Sequence, residues 1–189
     1  MNTQTPLDVA LKEWAATIEA LRQGRQILLL RKGGIHDAGG VFELEHQRFW
    51  LFPTQLHQAK ALVKAGHRDL LEQTAHIDRQ HIEFRCFATV ARVWNVDASA
   101  QSTLEAARHI WSDDYLSLRF GYQSAHRLAV VALRVWQLPQ AQIVTPHSKY
   151  FGCRSWVELE QPLSPDGAVP VLDEAQFTRQ LQELTRIGL

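Results

Sequence analysis

The chain has 189 residues, of which 46% are hydrophobic, and its 20 basic residues balance its 20 acidic ones, so that the formal net charge is zero. A hydrophobic share of this size supplies a core and excludes a disordered chain, and this length is typical of one domain. A balanced charge excludes the strongly basic proteins that coat nucleic acids or membrane surfaces, although basic side chains can still cluster locally.

The beginning of the chain and its cysteines indicate a cytoplasmic protein. Residues 1–6 have neither the basic nor the apolar region of a signal peptide. The longest apolar runs are far shorter than the roughly 20 residues that a membrane helix needs. Cys86 and Cys153 lack metal-ligand spacing, and two cysteines fit a reducing compartment. We therefore expect a cytoplasmic location, no membrane association, no metal and no cofactor.

The first predicted element is a helix over residues 7–21. Large apolar side chains recur there at alternating spacings of four and three residues, which places them on one helical face. Thr5 is a suitable N-cap and Gly24 a suitable C-cap. The sequence then predicts a strand over residues 25–31.

The middle of the chain predicts mostly strands. Residues 41–52 alternate loosely, and residues 82–96 are rich in β-branched and aromatic side chains with a change of apolar phase at Ala91, which indicates a bulge. Residues 128–136 are apolar on both faces apart from Arg134, as in a central strand. The remaining predicted elements are a helix over residues 55–71 that is broken near Gly66, helices over residues 99–107, 112–118 and 174–187, and a strand over residues 154–159.

This order of elements predicts the α+β class, because strands dominate the middle, helices the ends, and no β–α–β alternation is present. The expected architecture is a curved, mainly antiparallel sheet, or a partly closed β-barrel, packed by helices. We expect a single α+β domain over residues 1–160, a proline-rich linker over residues 161–173, and a C-terminal helix over residues 174–189 packed on the domain.

Two cations and two glycines follow the apolar run at residues 27–30. Arg31 and Lys32 supply positive charge, and Gly33 and Gly34 leave room for backbone N–H groups to approach an anion. The same residues are also typical of a hairpin turn with solvated charges, and no Walker motif follows. Both interpretations, a phosphate site and an ordinary turn, remain open.

Histidines and a carboxylate near the predicted strand at residues 41–52 form a second candidate group. Glu43, His46 and His57 have the side chains that bind metals or transfer protons. Their spacing is not a zinc pattern, and Thr54 also suits a helix N-cap with His57 and Gln58 in the first turn. No catalytic residue and no metal site is predicted from them.

Two short segments complete the candidates. Arg119, next to Phe120 and Tyr122, has the composition of a base-stacking site, although such neighbours are also common in cores. Cys153 beside Arg154 has the composition of an activated nucleophile, but no histidine partner is identified, and a buried structural cysteine is the alternative. The predicted pocket residues are Glu43, His46, Thr54, His57, Gln58, Tyr122, Cys153 and Arg154.

Several short segments carry a resemblance to a known family. They are residues 10–15, 27–35, 52–54, 57–58, 109–111, 133–135 and 152–156. In this order they resemble an uncharacterised prokaryotic family, the domain of unknown function 1802, with the resemblance spanning residues 7–159. That family has no established activity, so it implies no catalytic residue. The link of some members with restriction-endonuclease-type domains implies a role near nucleic acid.

A second resemblance concerns the fold. Residues 24–31 are similar to the opening of PUA-like domains of the ASCH kind, which bind RNA or modified bases. Gln26 and Leu29 stand where those domains usually have lysine and glutamate. The resemblance implies a PUA-like curved barrel, and these two departures leave its binding chemistry open.

Together these observations favour a non-catalytic module that binds nucleic acid or a nucleotide. Residues 31–34 and Arg119 are its predicted phosphate contacts. One alternative is a small enzyme that acts on a nucleotide or phosphoester through Glu43, His46 and His57. Another is a structural adaptor whose tryptophans all lie in the core. The sequence does not predict an oligomeric state.

Overall fold

A computed structural model of the protein describes residues 4–32, 44–76, 78, 80–121, 127–152 and 154–189. The strands are β1 (Leu7–Trp14), β2 (Leu28–Arg31), β3 (Arg48–Thr54), β4 (Ile82–Asp97), β5 (Arg127–Val144), β6 (Trp156–Leu163) and β7 (Val169–Pro170). The helices are α1 (Ala15–Arg22), α2 (Asp69–Gln73), α3 (Gln101–Ala106), α4 (Asp113–Gly121) and α5 (Glu174–Arg186).

The fold is mixed α+β, as predicted, and its sheet has seven strands. The strand order is β2-β5-β4-β3-β1-β6, and β7 pairs with β5. Only β1 and β3 pair in parallel among the described strands, which confirms a mainly antiparallel sheet. In the described part of the chain the two ends of this order do not pair, so the sheet is open rather than a closed barrel.

The predicted helix over residues 7–21 is wrong for its first eight positions, which form β1. This strand lies inside the sheet, between β3 and β6, and the consecutive side chains from Val9 to Leu11 are all buried. A strand buried on both faces has apolar residues at many spacings, including those of a helix. The helix begins only at Ala15 and ends, as predicted, near Gly24, which has φ +65°.

The long hairpin of β4 and β5 forms the centre of the sheet. Its pairing shifts register between Phe84 and Cys86 and again between Val90 and Arg92. The second shift confirms the bulge predicted from the change of apolar phase at Ala91. The side chains from Leu128 to Leu133 are buried on both faces, which confirms that β5 is a central strand.

Residues 55–71 do not form the predicted helix. They contain short 3-10 turns at Lys60–Leu62 and Ala65–His67, and α2 begins only at Asp69. Backbone hydrogen bonds run instead to a distant segment: Lys64 N–H donates to Ile110 O at 2.8 Å, and Ser112 N–H donates to Leu62 O at 3.0 Å. Pairing with residues 110–112 therefore replaces the helical ladder.

The C-terminal helix α5 packs on the core. Asp173 and Gln176 form a capping box at its start, and Phe177 and Leu184 are buried. The segment before it contains β7, at Val169–Pro170, which pairs with β5. No helix among the described residues is long and apolar enough to cross a membrane.

Cys86 on β4 gives a simple test of this core. The side chain is fully buried, and burial raises the pKa of its thiol to about 12. The thiolate is the reactive form, so in a Cys153→Ser variant we expect Cys86 to react with a thiol reagent about 1,000-fold more slowly in the folded than in the urea-unfolded protein. Equal rates at neutral pH would contradict this burial.

Candidate functional site

A cleft of about 710 Å³ lies between α1, β3, the end of α2 and the start of β4. Clefts of this size are typical of small-molecule and cofactor sites. Its α1 wall consists of Ala15, Ile18, Glu19 and Arg22, which recur at helical spacing and so share one face. Lys12, near the end of β1, also lines the cleft.

Hydrogen bonds from the loop after β3 hold the walls of the cleft together. Gln58 Oε1 accepts a hydrogen bond from Ala16 N–H at 3.1 Å, at the start of α1. Gln55 Nε2 donates to the backbone oxygens of Thr74 and Ala75, at 2.6 and 2.9 Å. The loop is thereby fixed to α1 on one side and to the end of α2 on the other.

The floor of the cleft is aromatic. The rings of Phe52 and Tyr150 meet edge to face at 6.4 Å between centroids, and both are buried. At the same cleft Phe151 is 63% exposed and Leu56 is also exposed. The exposed ring of Phe151 offers a stacking surface to a planar ligand, and the buried rings of Phe52 and Tyr150 support the cleft beneath it.

Charged side chains line the rest of the cleft as neighbouring pairs. Arg22 bonds Glu19 at 2.5 Å, His81 Nδ1 lies 2.7 Å from Asp78 Oδ2, and Arg85 bonds Glu83. Burial alone would raise the pKa of Glu19, but hydrogen bonds from Arg22 and Gln23 outweigh it and lower the pKa. The hydrogen bond with His81 lowers the pKa of Asp78.

The predicted phosphate contact Arg31 lies in an ion pair with Glu13, and neither residue lines the cleft. Its Nη1 lies 3.1 Å from Glu13 Oε2 and donates to Lys12 O at 3.1 Å. The Glu13 side chain is only 5% exposed, and its other oxygen accepts a hydrogen bond from Trp14 N–H. Arg31 therefore joins the end of β2 to the end of β1.

Lys32 and Arg119 lie close to that ion pair. Lys32 Nζ donates to Arg119 O at 2.8 Å, and Arg119 Nε donates to the Tyr115 hydroxyl at 2.9 Å. Burial and the positive charge of Arg119 lower the pKa of Lys32. The structure thus brings together three predicted cations, Arg31, Lys32 and Arg119, whereas Gly33 and Gly34 lie outside the described residues.

The predicted pocket residues are placed apart. Thr54 lines the cleft, and His57 and Gln58 lie in the loop that follows, where His57 has φ +62°. The ring of His46 packs against Trp156 at 5.0 Å, and in the described part of the chain no contact joins it to His57. Arg154 is exposed before β6. The predicted residues Glu43, Tyr122 and Cys153 lie outside the described residues.

Gln26 stands where the similar ASCH domains usually have lysine, and it has a structural role here. Its side chain is buried, Nε2 donates to Leu28 O at 2.7 Å, and Oε1 accepts from Ile110 N–H at 2.9 Å. Leu29, the other departure, is fully buried. At these two positions the chain therefore has a buried amide, Gln26, and a buried apolar side chain, Leu29.

Sequence reasoning missed most of the cleft. Lys12, Arg22, Arg85 and Phe151 come from separate segments, and only the helical spacing on α1 is a local signal. Among the described residues, no group of three or more histidine, cysteine, aspartate or glutamate side chains is placed to hold a metal ion.

Comparison with known families and proteins gives one clear match. The profile of the family described as "Domain of unknown function (DUF1802)" matches residues 10–183. This confirms the resemblance identified from the short segments and extends it beyond residue 159, into α5. No curated protein matches the chain.

The similar solved structures are of an ASCH protein from Zymomonas mobilis, the kind of domain that residues 24–31 resemble. A serine-to-alanine variant has 12% identity and a TM-score of 0.49, covering 95% of this chain and 99% of that one. A tyrosine-to-phenylalanine variant has 12% identity and a TM-score of 0.47, covering 93% and 96%. The unsubstituted protein has 12% identity and a TM-score of 0.45, covering 94% and 93%.

Proposed function

We propose that this chain, which belongs to the family of domain of unknown function 1802, is a module that binds nucleic acid or a nucleotide. The name of the family states no activity, so the proposal is drawn from the chemistry of the cleft. One base would be held beside Phe151. The observation that carries this proposal is the exposed ring of Phe151 at a cleft whose floor is formed by Phe52 and Tyr150. Every base has a flat aromatic face, so such a surface binds bases with little regard to sequence.

Polar groups in the same cleft suit the edge of a base. Thr54 Oγ1 accepts a hydrogen bond from Leu56 N–H at 3.2 Å, which leaves its hydroxyl hydrogen available. The amide nitrogen of Gln55 donates to the backbone oxygens of Thr74 and Ala75, whereas among the described residues its Oε1 has no hydrogen-bond partner. One donor and one acceptor are thus offered to a ligand, as in the few polar contacts that orient ligands in apolar pockets.

Lys32 and Arg119 remain our candidates for contact with phosphate, at the end of β2 and on α4. Arg31 has a structural ion pair, so its contribution to binding would be difficult to separate from its contribution to folding. The enzyme alternative through Glu43, His46 and His57 stays a prediction, as does a cytoplasmic location.

Replacing Phe151 by alanine should weaken binding of a fluorescein-labelled single-stranded oligonucleotide by about 5- to 150-fold, measured by fluorescence anisotropy. The reason is that stacking of one base on an aromatic side chain contributes about 1–3 kcal/mol. Phe151 is exposed, so the substitution should leave folding unchanged.

The matched control is Leu118→Ala, since Leu118 is 59% exposed on α4 and does not line the cleft. We expect this variant to bind like the wild-type protein. The proposal is wrong if the wild-type protein binds no oligonucleotide, or if the Phe151 and Leu118 variants lose the same affinity.

A further inference from the structure

The cleft carries balanced charge. Among the residues that the structure describes, three basic and three acidic side chains line it, and their formal charges sum to zero when the histidines are neutral. They are Lys12, Arg22, Arg85, Glu19, Asp78 and Glu83. A site built to hold phosphate in such a cleft would concentrate cations and exclude carboxylates.

Each of these three cations already donates at least one hydrogen bond to an acceptor within the protein. Arg22 directs Nε and Nη2 at the two oxygens of Glu19, at 2.7 and 2.5 Å. Arg85 Nη2 donates to Glu83. Lys12 Nζ donates to Gly152 O at 3.0 Å and lies 5.8 Å from the centre of the Phe52 ring.

A phosphate that enters the cleft would therefore meet three carboxylates as well as three cations. It would compete with Glu19 and Glu83 for their arginines, and the three carboxylates would repel it. An uncharged planar group pays no such cost, and it gains apolar contact with Phe52, Leu56 and Phe151.

We infer that the cleft selects the uncharged part of its ligand, a nucleobase or nucleoside, and leaves phosphate groups outside. This inference rests on the proposed function and adds the ligand class. In a nucleic acid, one base would enter the cleft while the charged backbone stays at its mouth. The free ligand of the same chemistry is a nucleoside.

The test compares adenosine, guanosine, cytidine and uridine with their 5′-monophosphates by isothermal titration calorimetry. We expect each nucleoside that binds to have an affinity equal to or higher than that of its monophosphate. We also expect the affinity for the nucleoside to change by less than a factor of two between 50 and about 200 mM salt, since no counterions are released by an uncharged ligand. A monophosphate that binds at least tenfold more tightly than its nucleoside would overturn the inference.

A charge variant provides a second measurement. Glu83→Gln removes one negative charge from the cleft and leaves Arg85 without this charged partner. Because an exposed charge pair has a modest interaction, we expect about a fivefold gain in affinity for the monophosphate and no change for the nucleoside. Glu19→Gln should act in the same direction. Unchanged monophosphate affinity in both variants would contradict the inference.

The matched control is Glu174→Gln. Glu174 is an exposed carboxylate that pairs with Arg134 at 3.0 Å and does not line the cleft, so this variant should bind both ligands like the wild-type protein. Two failures are distinguishable. If neither oligonucleotides nor nucleosides bind, the proposed function is wrong; if oligonucleotides bind through Phe151 while nucleosides do not, only the ligand class is wrong.

Discussion

Replacing Arg31 by alanine should lower the free energy of unfolding by about 3–5 kcal/mol, because the substitution leaves a buried carboxylate without its ion-pair partner. The Glu13 side chain is 5% exposed and that of Arg31 is 11% exposed. A carboxylate buried this deeply has lost its contact with water, so water cannot replace the guanidinium once that group is removed. The measurement is urea unfolding followed by tryptophan fluorescence.

The control is a double variant, Glu13→Leu with Arg31→Met, which removes both charges and keeps similar volumes. Replacing a buried ion pair as a whole is often close to neutral, so the double variant should be clearly more stable than Arg31→Ala. A loss below about 1 kcal/mol for Arg31→Ala would indicate that Glu13 does not depend on this pair.

Acid should destabilise the protein by about 3 kcal/mol between pH 6.5 and pH 4 through one histidine, His109. This side chain is 2% exposed, and burial, together with the charge of Lys64, lowers its pKa to about 4. Its Nε2 bonds Leu104 O at 2.6 Å and its Nδ1 accepts from Trp111 N–H at 3.1 Å, which fits a neutral ring with hydrogen on Nε2.

The sign follows from proton binding. In the unfolded chain the pKa of a histidine is about 6.5, so between pH 6.5 and 4 the unfolded state binds the proton and the folded state does not. Stability contributed by the neutral ring is fully present above pH 6.5 and is lost as the pH falls. His67, whose pKa is also lowered by burial, acts in the same direction.

The measurement is the free energy of unfolding against pH for the wild-type protein and for His109→Gln. The variant should be less stable at pH 7, because it disturbs two buried hydrogen bonds, but its stability should change less between pH 6.5 and 4. Parallel curves for the two proteins would show that His109 does not carry this dependence.

The elements that the sequence predicted well are those with a strong local pattern. The helix α5 was predicted within one residue at its end, from apolar spacing, and the structure adds a capping box at Asp173. The central strand β5 and the bulge at Ala91 were predicted from apolar runs and their phase. These features depend on neighbours in the chain, which the sequence shows directly.

The predictions that failed depended on partners far away in the chain. The residues of β1 have helical spacing, but pairing with β3 and β6 makes them an inner strand. Residues 60–67 were expected in a helix, but their backbone bonds the segment around Ile110. The intrinsic preference of a short segment for a helix is small compared with the free energy of pairing and burial in the sheet. Contacts between distant segments therefore decide the structure here.

The sequence by itself determined the α+β class, the central strand β5 and the family, and it identified Arg31, Lys32 and Arg119 as candidate site residues. Only the tertiary structure decided what these residues do: Arg31 meets a buried Glu13, and the cleft is assembled from α1, β3 and the segments near Asp78 and Phe151. The physical reason is that a site depends on distances and burial between remote segments. A sequence lists side chains in order and does not contain those distances.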